Sequence, residues 1–231
     1  MNRLKSISVF ICLLAAFTLH GQSDQTIDKQ DLKTGKWVSL VSTFQPNDGE
    51  HVYQLVFTNP NYRDSAIIQI DSLELPQCVV PNSIFFLNDS VGFLTAAGGC
   101  YLSYNGLFRT TDRGHSWQSI FLDLKEEDAG SLHLSRICND NFHMYDDLRG
   151  MIVWKIIDYK IWYSVTNDGG LTWTLRSETV APSNTHLNNI EIVHFSDLGL
   201  ATLIVRNYNA QSQHTVVYQF TDYGEHFRLL R

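Results

Sequence analysis

The side chains best suited to chemistry in this 231-residue chain gather in a few short stretches. Lys125, Glu126, Glu127 and Asp128 are followed closely by His133 and Arg136, Asp158 adjoins Tyr159, and Tyr208 stands between Asn207 and Asn209. Carboxylates flanking a glycosidic bond can divide the roles of acid and base between them. Tyrosines and amides hold polar ligands by packing and hydrogen bonding. Together the set suits a glycan or a peptide. A further pair, Asp146 and Asp147, also invites an acid/base reading. Its position repeats, however, because Asn88-Asp89-Ser90 and Ser196-Asp197 stand at the same place in related stretches, each with a glycine shortly after. A feature found at one place in every repeat reads as a turn.

No metal or cofactor site is expected. His115 and His226 fall in turn segments, and His133 with His143 lacks the i, i+4 helical spacing of a zinc motif. Gly98-Gly99 precedes no helix start, so it is not a phosphate loop. The start of the chain combines Arg3 and Lys5 with a short apolar run from Ile7 to Phe17 and a polar exit, which is the pattern of a secretory signal peptide over residues 1–21. Its removal takes away two basic residues, leaving 15 basic against 24 acidic and a net charge of −9. That balance argues against nucleic acid and anionic lipid as partners, and no later stretch is apolar for long enough to insert in a membrane. The mature protein is expected to be secreted or periplasmic.

The residues that must position these side chains are organised by a repeat. Asp112, Gly114 and Trp117; Asp168, Gly170 and Trp173; and Asp222, Gly224 and Phe227 recur at a period of about 55 residues. Each triplet is preceded by two or three runs of β-branched and aromatic residues bounded by Gly, Asn and Asp, and followed by another such run. Helical periodicity is absent except around Leu124 to Leu134. Four short strands per unit, repeated about an axis, make the blades of a β-propeller. The expectation is therefore an all-β fold of four-stranded antiparallel blades in a single domain over 22–231. Repeat blades fall at about 83–122, 137–178 and 189–231, and an irregular N-terminal part covers 22–80. Thr34 to Leu40 reads as a worn copy of the signature and a fourth strand, and Val52 to Thr58 and Ala66 to Leu73 as two further strands, which would give three clear blades and one assembled from the N-terminal part; an N-terminal strand pairing with the last blade would close the ring. A small closed ring, a fragment of a larger one, and a ring completed by a second copy or a larger complex all remain open.

Three cysteines follow the signal segment. Cys78 lies just before the first strand of the first full blade and Cys100 just after its second, so antiparallel pairing predicts a Cys78–Cys100 disulfide with Cys138 left free.

Thr110-Thr-Asp-Arg-Gly-His-Ser-Trp117 and Thr166-Asn-Asp-Gly-Gly-Leu-Thr-Trp173 resemble the Asp box, or bacterial neuraminidase repeat, of pattern Ser/Thr-x-Asp-x-Gly-x-Thr/Ser-Trp. In the third copy Phe220 replaces the first hydroxyl and His226 the second. The order of features within each unit is similar to the propellers of sialidases, sortilin-type receptors and the photosystem II assembly factor family. The resemblance implies a structural role for the aspartates, glycines and aromatics of the box. A sialidase would also need three arginines, an acidic donor and a Tyr–Glu nucleophile; no residue of this chain matches that set, and Arg63, Arg136 and Arg206 stand in no such context.

In an antiparallel blade the first and third turns share one end, so the boxes leave the opposite end for a site. There the loop and turn residues Glu126, Glu127, Asp128, His133, Arg136, Asp158, Tyr159 and Tyr208 are the candidates. The reading from sequence is an exported, non-catalytic binding or assembly module for a protein or surface glycan, with a glycoside hydrolase as the alternative and a remnant without independent function as a third.

Overall fold

The computed structural model describes residues 24–32, 35–45, 50–59, 64–70, 79–98, 104–120, 122, 141–157, 159–180, 189–196, 198–209 and 212–230. These residues form a β-propeller of four antiparallel four-stranded sheets, each built from strands consecutive in the chain. Blade 1 comprises β1 (Asp24–Asp31), β2 (Trp37–Gln45), β3 (Glu50–Asn59) and β4 (Asp64–Gln69). Blade 2 comprises β5 (Val79–Phe86), β6 (Gly92–Gly98), β7 (Tyr104–Thr110) and β8 (Gln118–Ile120). Blade 3 holds β9 (Phe142–Met144), β10 (Gly150–Ile157), β11 (Lys160–Thr166) and β12 (Thr174–Thr179). Blade 4 holds β13 (Asn189–Ser196), β14 (Leu200–Asn209), β15 (Ser212–Thr221) and β16 (His226–Leu230).

Strand chemistry follows each blade's position. In β2 the buried Val38, Leu40 and Ser42 alternate with half-exposed Trp37, Ser39 and Val41, the period of two expected where only one face is covered. The middle strands of blade 3 instead run as continuous buried stretches, Met151 to Trp154 and Tyr163 to Thr166, because a blade lies on each side of them. Three apolar seams join the blades in order. Leu40, Leu55 and Phe57 meet Ile84, Phe86 and Leu94 between blades 1 and 2. Phe93 and Leu107 meet Phe142, Met144 and Trp173 between blades 2 and 3. Met151 and Tyr163 meet Leu203 and Phe220 between blades 3 and 4. Among the described residues, none of these buried clusters joins blade 4 to blade 1.

The N-terminal part is not irregular. Residues 24–69 make a complete blade, and β1 pairs with β2 of its own sheet; blade 4 draws all its strands from 189–230. Its first strand hides in the sequence because β1, Asp-Gln-Thr-Ile-Asp-Lys-Gln-Asp, is almost wholly polar. It docks by hydrogen bonds instead. Asp28 Oδ2 accepts from Ile84 N at 2.8 Å, Gln30 Oε1 from Phe86 N at 2.5 Å, and Gln30 Nε2 donates to Phe86 O at 3.0 Å. Side chains of one first strand thus satisfy the open backbone edge of the next. Gly35 belongs to the turn between first and second strands, where its N donates to Leu32 O at 3.0 Å, and so the stretch from Thr34 is not a worn signature.

Candidate functional site

The three signature turns sit beside the first turn of their own blades. Arg113 N donates to Ser90 O at 3.0 Å, Gly169 N to Leu148 O at 2.8 Å and Tyr223 N to Gly199 O at 3.0 Å. Within the turn at Asp168 the carboxylate gathers the chain around itself. Oδ1 accepts from Thr166 Oγ1 at 2.8 Å and from the amides of Leu171 and Thr172 at 3.0 Å each, while Oδ2 accepts from Thr172 Oγ1 at 2.6 Å. Asp112 repeats the pattern with Thr110 and Ser116. The Ser116 hydroxyl and amide hold its carboxyl down to about 2. For Asp168 burial pulls the other way, yet the Thr172 hydroxyl and amide and the Thr166 hydroxyl keep it below the ordinary value. Gly114 and Gly170, at φ +93° and +80°, bring the backbone so close to the preceding blade that an added Cβ would lie 2.5 Å from Leu55 and 2.6 Å from Phe93. Trp173 then drops into the core, its Nε1 donating to Gly170 O at 3.1 Å.

The third turn is built differently. With Phe220 in place of the hydroxyl, Asp222 and Tyr223 turn left-handed at φ +50° and +61° in a short 3-10 turn. Gly224 keeps φ +93° against Val165, and Phe227 stacks on Tyr218 at 5.2 Å. Asp146 has a comparable turn duty in blade 3. Its Oδ1 accepts from the amides of Leu148 and Arg149 at 2.9 and 2.7 Å, as Asn88 Oδ1 does for Ser90 and Val91 at 2.9 Å each. Occupied in this way, Asp146 is a turn cap and not half of an acid/base pair.

The opposite end is where first strands begin and where second-to-third-strand turns lie. Tyr159 stands there at φ +60°, about half exposed, and its carbonyl accepts from Val180 N at 2.9 Å. Tyr208 lies at the corresponding end of blade 4, opposite Gln213 in the β14–β15 register. The structure therefore places these two at one end of neighbouring blades. Glu126, Glu127, Asp128, His133, Arg136 and Asp158 lie outside the described residues, as do Cys78, Cys100 and Cys138.

At the same end the first strands supply carboxylates that pattern reading overlooked. The first strands of successive blades meet one another: β1 docks on β5, Phe85 contacts Phe142 and His143, and His143 stacks on Phe195 at 5.3 Å. They line the zone where the blades converge. The pairing register breaks once in β1 between Thr26 and Asp28, once in β5 between Pro81 and Ser83, and once in β13 between Ile190 and Ile192. The extra residues are Ile27, Asn82 and Glu191. A bulge leaves one residue out of the ladder and re-aims its neighbours, a device frequent beside active sites. Asp24 opens β1 and accepts from Thr43 Oγ1 at 2.8 Å. Asp28 Oδ1 accepts from Lys29 N at 2.8 Å in addition to its bond to Ile84. No signal in the sequence marks a bulge, since it is a property of pairing. Among the described residues no group of three or more metal-ligating side chains occurs, and no helix is long and apolar enough to cross a membrane.

No protein-family profile matches the sequence, and no curated protein is significantly similar to it. Solved structures do match. A protein of unknown function from Dyadobacter fermentans is 16% identical with a TM-score of 0.54, over 91% of this chain and 72% of its own. The GH93 α-L-arabinofuranosidase of Fusarium graminearum, in complex with arabinobiose, is 10% identical with a TM-score of 0.51, over 88% of this chain and 65% of its own. A second structure of an α-L-arabinofuranosidase from that organism, bound to an iminosugar inhibitor, gives the same TM-score of 0.51. The chain thus spans about two thirds of the length of these hydrolases. These likenesses establish a shared propeller fold. They do not favour the non-catalytic module read from the sequence: the two named here with a stated activity are α-L-arabinofuranosidases, in line with the hydrolase alternative, and at 10% identity what they share with this chain is the fold.

Proposed function

We propose that the protein is a glycoside hydrolase acting on arabinofuranosyl-containing glycans outside the cytoplasm. The observation that carries this reading is the presence of acidic residues on the first strands of the two outermost blades: Asp24, which opens β1 at the end opposite the signature turns, Asp28 at mid-strand, and Glu191, the bulge residue near the start of β13. A sugar held between these strands would have carboxylates on both flanks, which is what acid/base or nucleophilic glycoside cleavage requires. Asp28 is committed to docking β5, so Asp24 and Glu191, with Glu126, Glu127, Asp128 and Asp158 outside the described residues, are the groups from which the acid and the base or nucleophile are drawn. Tyr159 and Tyr208 flank the ligand. Support for the substrate class comes from the arabinofuranosidase that shares the fold. The turns at Asp112 and Asp168 are read as Asp boxes, which hold the blades and take no part in chemistry.

The test is release of aglycone from aryl α-L-arabinofuranosides, and of arabinose from arabinan oligosaccharides, by the folded chain. Turnover that falls at least about 100-fold in Glu191→Gln or Asp24→Asn, and is unchanged in Asp147→Asn, supports the reading. A cooperatively folded protein inert on both substrate types refutes it.

A further inference from the structure

At the end that carries the signature turns, a cavity of about 180 Å³ opens on the seam between blades 1 and 2, lined by Lys36, Phe57, Thr58, Asn59, Ala66 and Arg113. Its apolar part is the edge of buried Phe57 together with exposed Ala66. Its rim is cationic. Asp89 pairs with Lys36, and its Oδ2 lies 3.8 Å from an Arg113 terminal nitrogen, so two positive groups share one carboxylate. Two cationic side chains converge here on a chain of net charge −7.

Arg113 does not depend on that carboxylate for its position. Its Nε donates to the Asp89 carbonyl at 3.3 Å, its amide to Ser90 O at 3.0 Å, and its guanidinium lies 5.3 Å from the centre of the Phe57 ring. Arg113 adopts φ +67°, as Tyr223 does at φ +61° in blade 4, where the equivalent position of blade 3 carries Gly169 at φ +75°. A left-handed backbone costs a non-glycine residue on the order of 1 kcal/mol. The chain tolerates that strain and keeps a guanidinium at the cavity mouth.

We propose that this cavity binds a small monocarboxylate with an apolar body, about the size of benzoate. The carboxylate is clamped between the Arg113 fork and the Lys36 ammonium, competing with Asp89 for both, and the apolar part lies against Phe57 and Ala66. Ligand sites that enclose drug-sized molecules run from about 300 Å³ upward, so this one holds a single small acid and excludes an oligosaccharide. The site lies at the opposite end from the carboxylates assigned to hydrolysis, and it stands or falls independently of that assignment.

The probe is 4-fluorobenzoate, titrated against the folded chain and read by fluorine NMR, with 4-fluorobenzamide as its neutral counterpart. Saturable binding of the acid with a dissociation constant on the order of millimolar, at least about tenfold tighter than the amide, is expected. Arg113→Gln and, separately, Lys36→Met each weaken the acid about tenfold, so the assignment remains testable if one of them fails to fold. Asp89→Asn tightens it several-fold, because the competing carboxylate is removed while the backbone carbonyl that holds Arg113 remains. If Arg113 and Lys36 serve only to latch the blades, Asp89→Asn leaves the acid unbound or bound no better. That result, or equal binding of acid and amide, overturns the proposal.

Discussion

Replacing Asp168 tests whether the signature aspartates are the fasteners that the geometry indicates. Four hydrogen bonds converge on this carboxylate, two from hydroxyls and two from amides. Bonds to an ionised group contribute about 1.5–3 kcal/mol each when water is excluded. In a half-exposed turn, water takes over part of what the side chain relinquishes, so roughly 0.5–1 kcal/mol each is the appropriate share. Asp168→Ala should therefore cost about 2–4 kcal/mol, and Asp168→Asn, which retains one acceptor oxygen but not the charge, about 1–2 kcal/mol. For a chain of this size the alanine variant should melt about 5–12 °C lower. The matched comparison is Asp222→Asn. The Asp222 carboxylate faces His226 at 3.5 Å on an exposed surface, and asparagine tolerates the left-handed backbone there, so stability should change by less than about 0.5 kcal/mol. Urea unfolding followed by tryptophan fluorescence is the assay, since Trp173 lies buried directly under the turn. Equal losses from Asp168→Asn and Asp222→Asn would refute the view that the hydrogen-bonded carboxylate, rather than the turn as such, secures the blade.

Other expectations follow from the same contacts. Because the folded protein holds Asp112 at about 2 through the Ser116 hydroxyl and amide, its contribution is complete above about pH 4, the unfolded value, and is lost as pH falls toward 2. Screening at this exposed turn limits that contribution to about 1 kcal/mol, and Ser116→Ala should flatten the decline of melting temperature between pH 4 and 2. Gln30→Ala should loosen blade 1 from blade 2, costing about 1–3 kcal/mol and speeding hydrogen exchange at the Phe86 amide while leaving amides of blade 4 unchanged. Ser164→Ala should cost about 1–3 kcal/mol by orphaning the buried Trp154 Nε1, which now donates to Ser164 Oγ at 2.8 Å; Ser164→Thr should recover part of that loss if the added methyl fits.

What the sequence determined by itself is local. The alternation of apolar and polar residues, the Gly, Asn and Asp punctuation, and the spacing of Asp112, Asp168 and Asp222 specify strands and turns, because a turn's hydrogen bonds are made within a few residues of one another. That was enough to read the repeat as propeller blades and to place Tyr159 and Tyr208 at one end. It also explains why Asp146 could be set aside, since a recurring turn residue advertises its duty. The tertiary structure decided what depends on partners far along the chain. The first strand of blade 1 was hidden because it docks through Asp28 and Gln30 on backbone groups 56 residues away, and such contacts leave no apolar pattern to detect. The bulges at Ile27, Asn82 and Glu191 exist only as a mismatch of register between two strands, and the cavity at Lys36 and Arg113 exists only where two blades abut. Local chemistry is written in sequence; which side chains share a space is settled by packing.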